Sequence, residues 1–392
     1  MNAFIVPQIF TGTDLLQKGE YAVCVNDDGV ISHVGPPAEV IASGMNQIEL
    51  DGVLMPGLID MHTHLCLSGS FEPDLDLKTQ HPARVVQRAL SHLSQHLDAG
   101  VTTIRDVGGV HGIDIELSRM VREGKVEGPD VWAAGHLICM TGGHACFMGV
   151  EADGPDAVQK AARQEIKAGA HLIKLIATGG IITPGVQPGA AQLSQAEMQA
   201  ACDVAHLVDK KVAAHAQGTE GIMNALRAGC DTIEHGFWLS QEAIQFMHEQ
   251  QRTLVPTFAP LRCMRANAEQ MPSFIQAKLD VVEQPQLESF QKAIAGGVNV
   301  VTGTDAGTPG NPHGNIAEEL KAFAAAGLSA NDVWRAATSN AAFALGASDR
   351  GKVHVGLRGD LICVSSECFA NPAHYSKPSL VVSQGRVVRR SR

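Results

Sequence analysis

The amino-acid sequence predicts an α/β protein, a (β/α)8 TIM barrel with a small composite β-sandwich formed by the two ends of the chain. Three observations predict this fold. From about residue 54 onward, short apolar runs alternate with longer amphipathic stretches, as in βα units over a parallel sheet. Eight such units occupy about 300 residues, the length expected of a closed barrel. The residues on either side alternate apolar with polar positions, which is typical of half-buried β-strands.

Eight apolar runs are the candidate barrel strands. They begin at Leu54, Val101, Asp130, Leu172, Lys211, Thr232, Thr253 and Val298. The segments between them have helical periodicity, for example over residues 84–99, 157–168 and 195–209, and Ser194 ahead of Glu197 is a helix N-cap signal. No glycine-rich dinucleotide fingerprint follows the first run, which favours the barrel over an open doubly wound sheet.

The two ends of the chain are the parts of the predicted β domain. Asp-Asp-Gly and Gly-Pro-Pro turn signals separate strand-like pieces in the first part. The segments GDLICV and SLVVSQGRVV in the second part are strand-like in the same way. Neither part has enough strands to be stable alone. We therefore predict that residues 1–53 and 351–392 pack together as one β domain, beside a barrel of residues 54–350.

The composition argues against several classes of function. The net charge is -11 and no long Lys/Arg run occurs, which disfavours nucleic acid and anionic membranes as partners. No apolar run reaches the roughly 18 residues of a membrane helix, and residues 1–12 contain no basic stretch ahead of an apolar one, so we expect no secretory signal. The nine cysteines are scattered and form no CxxC pair, as in a reducing compartment. We predict a cytoplasmic homo-oligomer that acts on a small molecule.

The strongest local signal is the pair His62 and His64, which follows the apolar residues 58–61. Residues two apart in a strand point to the same side, so both imidazoles could reach one metal ion. A His-x-His pair alone is common without a metal. Four more residues fall toward the C-terminal ends of predicted strands: Lys174, His215, His235 and Asp305. Barrel enzymes place their active sites at that face.

Each of these residues also has an ordinary structural interpretation. His215 and His235 could be polar residues of a barrel rim, and Asp305 could be a helix N-cap. Lys174 lies inside the apolar run LIKLIA, where burial disfavours its ammonium form. A neutral lysine amine can react with carbon dioxide to give a carbamate, an anionic ligand able to bridge two cations. The alternative is an ion pair with an acid such as Asp106.

In this order and spacing, the runs PGLIDMHTHL, IKLIATGG, AHA, IEHG and GTDAG resemble the amidohydrolase superfamily, from Val53 to about Arg386. The chain looks closest to the imidazolonepropionase-like branch, which contains Xaa-Pro and Xaa-Arg dipeptidases and related metallo-carboxypeptidases. MTGGHA at 140–145, PHGN at 312–315 and AATSNAA at 336–342 carry that closer likeness. The resemblance implies a metal-dependent hydrolase that acts on carbon-nitrogen bonds.

The resemblance further implies two divalent metal ions, by analogy zinc, although manganese, iron or cobalt also suit histidine and carboxylate ligands. It assigns His62, His64 and Asp305 to the first metal, His215 and His235 to the second, and a carboxylated Lys174 to both. A hydroxide that bridges the metals would attack an amide carbonyl. Asp305 would take the proton and pass it to the departing amine.

The expected substrate is a small amide, such as a dipeptide, an Xaa-Pro-like compound or an N-acyl amino acid. By the same resemblance His144 donates to the oxyanion; its alternative role is a loop cap. The predicted substrate-binding residues are His144, Trp238, Arg262, His313 and Asn315. Apolar residues near the predicted strand ends indicate a small or apolar leaving side.

Two other reactions and one non-catalytic role remain as alternatives. The same site could open a cyclic amide, as in imidazolonepropionase, or deaminate a heterocycle. Deaminases of this superfamily generally use one metal and lack the bridging lysine, so Lys174 counts against them. A non-catalytic scaffold is disfavoured because all six ligand positions are filled.

Overall fold

The structure, a computed structural model, describes residues 1–40 and 45–391. Seven strands precede the parallel part of the fold. They are β1 (Asn2–Val6), β2 (Gln8–Phe10), β3 (Leu15–Leu16), β4 (Tyr21–Val25), β5 (Ile31–Gly35), β6 (Asn46–Glu49) and β7 (Val53–Pro56). Four of them form a sheet in the order β5-β4-β1-β6, in which only β1 and β6 are parallel. This sheet is built from N-terminal residues alone.

Ten parallel strands follow. They are β8 (Leu58–Thr63), β9 (Val101–Asp106), β10 (Asp130–Ala133), β11 (Leu137–Cys139), β12 (Gly149–Glu151), β13 (Leu172–Ile176), β14 (Lys211–Ala216), β15 (Thr232–His235), β16 (Thr253–Val255) and β17 (Asn299–Val300). They pair in two sheets, β10-β9-β8 and β12-β11-β13-β14-β15-β16-β17. The predicted α/β class with parallel strands is confirmed.

Backbone hydrogen bonds connect the two parallel sheets at both ends. Met61 N donates to Thr302 O (3.0 Å), which joins β8 to the segment after β17. His171 N donates to Ala133 O (2.7 Å), which joins β10 to the residue before β13. The carboxyl ends of the strands therefore lie on a common side of the parallel part.

Three strands end the chain: β18 (Leu361–Val364), β19 (Leu380–Ser383) and β20 (Arg386–Arg390). They continue a six-stranded sheet in the order β20-β19-β18-β7-β2-β3. In it β7 is antiparallel to β18 and parallel to β2. One apolar cluster includes Phe4 and Val23 of the first sheet together with Leu54 and Leu361 of this one. The two ends of the chain thus share both a sheet and a buried cluster.

The first barrel strand begins later than the sequence predicted. Leu54 was the predicted start, but residues 54–56 pair with β18 in the flanking sheet, and β8 begins at Leu58. Gly57 separates the two strands, and a Cβ there would collide with the side chain of Thr102. Both strands are fully buried. The sequence is therefore one continuous apolar run, from which the division into strands of two different sheets could not be predicted.

Thirteen helices are present in the described part of the chain. They are α1 (Pro73–Thr79), α2 (Pro82–Asp98), α3 (Ile113–Arg122), α4 (Pro155–Ala168), α5 (Gln195–His206), α6 (Thr219–Ala228), α7 (Gln241–Glu249), α8 (Phe258–Ala266), α9 (Ser273–Ala295), α10 (Ile316–Ala325), α11 (Ala330–Ala336), α12 (Ser339–Leu345) and α13 (Ser366–Ala370). Ser194 caps α5 as predicted, in a capping box with Glu197. Within the described residues, none of the helices combines the length and hydropathy that a membrane span requires.

Candidate metal centre and active site

The carboxyl ends of β8, β14 and β15, the middle of β13 and the segment after β17 surround one cavity of about 60 Å3. Its lining includes all six residues that the sequence analysis put forward as metal ligands: His62, His64, Lys174, His215, His235 and Asp305. None of the six is more than 7% exposed. A volume of this size holds a few waters or the reacting end of a small molecule.

The donor atoms of these side chains lie close together. Asp305 Oδ1 is 3.2 Å from His64 Nε2 and 3.5 Å from His62 Nε2. One ligand atom each from His62, His235 and Asp305 lies within 4.8 Å of the others, so these three residues could hold a metal ion. The rings of His215 and His235 are 4.4 Å apart between centroids. The three-residue group mixes members of the two ligand sets that the resemblance implies.

Three buried polar atoms of residues that line this cavity have no hydrogen-bond partner among the described residues: Lys174 Nζ, Asp305 Oδ1 and Gln217 Oε1. Buried polar atoms are nearly always hydrogen-bonded, so an orphaned amine and an orphaned carboxylate oxygen in one site require an explanation. Asp106 is not the partner of Lys174, since its carboxylate accepts from the backbone N–H groups of Leu65 and Gly108. The donor set fits a bound divalent cation.

The histidines are oriented by hydrogen bonds from the opposite side of each ring. The bonds join His62 Nδ1 to Glu234 Oε2 (2.7 Å), His64 Nδ1 to Gly108 O (3.1 Å), His235 Nδ1 to Thr257 Oγ1 (2.6 Å) and His215 Nε2 to Gly179 O (3.4 Å). Such bonds fix the tautomer of a metal-ligating histidine. They leave Nε2 of three rings, and Nδ1 of His215, free to bind a metal.

Burial sets the protonation of the site. It lowers the pKa of His235 to about 3 and the pKa values of His62 and His215 well below the ordinary histidine range. Burial also lowers the pKa of Lys174 to about 8. The imidazoles of His62, His215 and His235 are therefore neutral at pH 7, with a lone pair available to a metal, and part of the Lys174 population is the neutral amine. His64 differs, because burial, which lowers its pKa, is outweighed by the neighbouring Asp305 carboxylate, which raises that pKa above the ordinary histidine value.

Glu234 supports the candidate site and was not among the residues predicted from the sequence. It is fully buried and accepts hydrogen bonds from His62 Nδ1 (2.7 Å) and Arg105 Nη2 (2.8 Å). Arg105, also buried, donates to Met61 O through Nε (2.6 Å). The sequence did contain an indication of this pair. The glutamate in TIEHG and the arginine in VTTIRD are charged residues inside apolar strands, and a buried charge requires a partner of opposite charge.

We expect Glu234→Gln to weaken metal binding by about 10–100-fold, because the amide is a poorer acceptor for His62 Nδ1 and leaves Arg105 without its counter-charge. Competition with a chromogenic chelator measures this affinity. Glu242→Gln, at a side chain that is 65% exposed, is the matched control. Equal metal affinity in a folded Glu234→Gln variant would show that Glu234 does not support the ligand set.

His144 lies beside the ligand set in the same cavity. Its ring centroid is 4.5 Å from that of His215, and its Nδ1 is 2.8 Å from Thr183 Oγ1. Burial first, and then the charge of Lys278, lower the pKa of His144 to about 3. A neutral imidazole with one N–H is suited to donate to a developing oxyanion.

The whole-chain comparison settles the family. The sequence matches the Amidohydrolase family over residues 53–388. The chain belongs to the amidohydrolase family. It is accordingly a hydrolase that acts on carbon-nitrogen bonds, and the predicted superfamily and branch are confirmed.

Three known proteins show how close the likeness is. Ochratoxinase of Aspergillus niger is 28% identical to this amidohydrolase, over 92% of this chain and 80% of that protein. Imidazolonepropionase of Bacillus cytotoxicus is 24% identical, over 89% of this chain and 84% of that protein. The crystal structure of a Xaa-Pro dipeptidase with bound methionine in its active site has a TM-score of 0.89 and 27% identity, and the match covers 99% of each chain.

Four predicted substrate-binding residues of this amidohydrolase are absent from the cavity lining as the described residues form it: Trp238, Arg262, His313 and Asn315. Arg262 faces Glu318 at 3.7 Å and is 37% exposed. His313 is buried and its Nε2 is bonded to Leu67 O (3.0 Å). Trp238, His313 and Asn315 follow proposed ligands closely along the chain, but nearness in sequence did not determine which side of a loop faces the site. Arg262, expected in a loop, lies in α8.

The cavity wall of the amidohydrolase is largely apolar. Leu67, Phe237, Leu261 and Met264 contribute to it, together with Ile181 and Ile182 of the loop after β13. Among the described residues that form the lining, Asp305 is the sole carboxylate. An apolar wall binds apolar groups through buried area and does not select a positive charge.

Proposed function

We propose that this amidohydrolase cleaves the amide bond of a small substrate, such as a dipeptide, an Xaa-Pro-like compound or an N-acyl amino acid, with two divalent metal ions. The observation that carries the proposal is the buried cavity in which six donor side chains converge while Lys174 Nζ and Asp305 Oδ1 lack partners. The Xaa-Pro dipeptidase structure supports a linear amide, since its name specifies a peptide bond.

In this proposal His62, His64 and Asp305 hold one ion, and His215 and His235 hold the other. Lys174 is shared as a carbamate, formed when its neutral amine adds carbon dioxide and releases one proton. A lysine pKa of about 8 supports this, because an appreciable fraction of the amine is neutral near pH 7. Bound divalent ions would supply an acidified water and a polarised substrate carbonyl at this site, and zinc suits the ligand types.

Asp305, His144 and the apolar wall would carry out the remaining steps of the hydrolysis. Asp305 would accept the proton of the attacking water and deliver it to the nitrogen of the leaving amine, which breaks the C–N bond. His144 would donate from its ring N–H to the carbonyl oxygen as negative charge develops there. The apolar wall would exclude bulk water and orient the leaving side of the substrate.

The fold that holds this site is part of the proposal. We infer that the two parallel sheets form one closed (β/α)8 barrel, which the hydrogen bonds at Met61 and His171 support. We also infer that residues 1–53 and 351–392 form a composite β-sandwich beside the barrel of residues 54–350. The apolar cluster shared by both flanking sheets supports that division.

A cyclic amide is the second candidate substrate, because imidazolonepropionase of Bacillus cytotoxicus is among the relatives. The two candidates differ in the group that leaves. A linear amide releases a separate amine, whereas a cyclic amide opens and keeps both ends in one molecule. Assaying linear N-acyl amino acids and dipeptides beside small lactams distinguishes them, and hydrolysis of lactams alone would overturn the linear assignment.

We expect substrates that end in Pro, Leu or Phe to have kcat/KM values at least about tenfold above those ending in Arg or Lys. The reason is that the wall is apolar and contains no carboxylate besides Asp305 among its described residues. Charge-assisted bonds would be needed to select a basic side chain. Matched N-acyl substrates that differ only in the last residue provide the measurement. A tenfold preference for Arg or Lys would contradict the expectation.

A further inference from the structure

Lys278 is a buried lysine whose hydrogen-bond partners among the described residues are all backbone carbonyls; its Nζ also lies 5.3 Å from the centroid of the Phe274 ring. It lies in α9 and is 8% exposed. Its Nζ donates to Gly180 O (3.0 Å), Ile181 O (3.1 Å) and Thr183 O (2.7 Å). An ammonium group has three donors, so these carbonyls saturate it. Burial lowers its pKa to about 8, and no carboxylate contributes to the shift.

The three carbonyls belong to a short segment that also contacts His144. The Thr183 hydroxyl is 2.8 Å from His144 Nδ1, and a Cβ at Gly180 would collide with the His144 ring. Ile181 and Ile182, in the same segment, line the catalytic cavity. Lys278 therefore holds, from the α9 side, the segment against which His144 packs.

A hydrogen bond joins Thr183 to the ring of His144. Thr183 Oγ1 accepts from Ala145 N (3.2 Å) and has one hydrogen to give. His144 Nδ1 lies 2.8 Å from this oxygen and accepts that hydrogen when the ring proton is on Nε2. A neutral His144 whose Nδ1 accepts this bond carries its proton on Nε2, which is the tautomer that an oxyanion donor requires.

We propose that Lys278 is a positioning residue that fixes residues 180–183 and, through Thr183, holds His144 with its Nε2–H available to the substrate. The proposal rests on the proposed function of His144. Without the ammonium group, three buried carbonyls lose their donor, and a segment with unsatisfied carbonyls shifts toward water or toward other donors. A displacement of about 1 Å at a donor to the transition state costs about a hundredfold in rate.

The first test compares Lys278→Met with the matched control Lys292→Met, at a position of the same helix whose side chain is 60% exposed. We expect Lys278→Met to lower kcat by about 10–100-fold, with KM changed less than about threefold and metal content unchanged. Lys278→Arg, which keeps a cation with several donors, should recover part of the loss. Wild-type kcat and KM in Lys278→Met would overturn the proposal.

A double-mutant cycle tests the route through Thr183. Thr183→Val removes the hydroxyl but keeps the Thr183 carbonyl that Lys278 binds, so it should lower kcat without loosening the segment. If both residues act through His144, the double variant should lose little more than the worse single variant. Fully additive losses would overturn the route. If Lys278→Met does not fold, wild-type kcat in Thr183→Val overturns the proposal equally.

A measurement independent of activity separates this inference from the proposed function. Amide hydrogen exchange followed by mass spectrometry should show faster exchange over residues 179–192 in Lys278→Met than in the wild type or in Lys292→Met. Unchanged exchange would show that Lys278 does not anchor the segment. Faster exchange in a protein that hydrolyses no amide would leave the anchoring intact and overturn the proposed function alone.

Discussion

Lys174→Ala is expected to lower kcat/KM by about a thousandfold, which corresponds to about 4 kcal/mol of transition-state stabilisation. The side chain is 2% exposed, its Nζ has no hydrogen-bond partner among the described residues, and it lies in the cavity that the four histidines line. Alanine removes the proposed shared ligand without adding bulk. Steady-state kinetics and elemental analysis of the same preparation measure the activity and the metal content together.

A control variant and a rescue experiment test whether the loss of activity is specific to the Lys174 side chain. Lys160→Ala, on the exposed face of α4, should behave as the wild type. Short carboxylic acids such as formate, acetate or propionate should restore part of the activity of Lys174→Ala, because a free carboxylate can enter the vacated space and supply the missing oxygen ligand. Unchanged activity with unchanged metal content would rule out a shared ligand at this position.

Asp305→Asn is expected to lower kcat by about a thousandfold, the middle of the range for general acid-base groups. Asparagine keeps the shape of the side chain but cannot carry the proton from water to the leaving amine. It also tolerates the backbone, since Asp305 has a φ of 52° and asparagine is among the residues that adopt the left-handed region readily. Single-turnover kinetics measure the loss in the chemical step itself.

The control for Asp305 is Asp203→Asn, at an exposed carboxylate on α5, which should have wild-type activity. A loss of kcat that disappears with a substrate carrying a better leaving group would support proton delivery to the amine. An Asp305→Asn variant with wild-type kcat on an unactivated amide would contradict the assignment of the proton carrier.

The convergence of the proposed ligands on one cavity could be predicted from the sequence because of a simple property of parallel strands. His62, His215 and His235 each stand near the end of an apolar run, and the carboxyl ends of neighbouring parallel strands meet at one side of the sheet. Lys174 was identifiable because a lysine within LIKLIA has no solvent to face. Strand position and burial therefore indicated that these side chains share one face, and the family resemblance assigned them as metal ligands.

The loops and the supporting contacts were harder to predict. Trp238 and His313 were assigned to the substrate because they follow ligands closely, yet both lie outside the cavity lining. Loop residues follow no fixed period, so the direction of each side chain depends on packing that the sequence does not express. Lys278 illustrates the opposite case, since it lies nearly 100 residues after the segment that it binds.

Backbone strain at the site also could not be predicted from the sequence. His235, Asp305 and Thr257 have φ angles of 72°, 52° and 52°. Residues other than glycine in this region cost about 1–3 kcal/mol each, and they persist only where the surrounding structure enforces them. Two proposed ligands and the partner of one of them thus share this strain, which is consistent with a site shaped for binding and catalysis at the expense of stability.

Metal titration of the chelated protein tests whether the six donor side chains form a two-metal centre. The protein is stripped with a chelator, its residual metal is measured by elemental analysis, and hydrolysis of a cleaved amide is followed as zinc or manganese is added back. We expect no activity in the stripped protein and a rise that reaches its plateau at about two equivalents per chain. Full activity in the stripped protein, or a plateau at one equivalent, would contradict it.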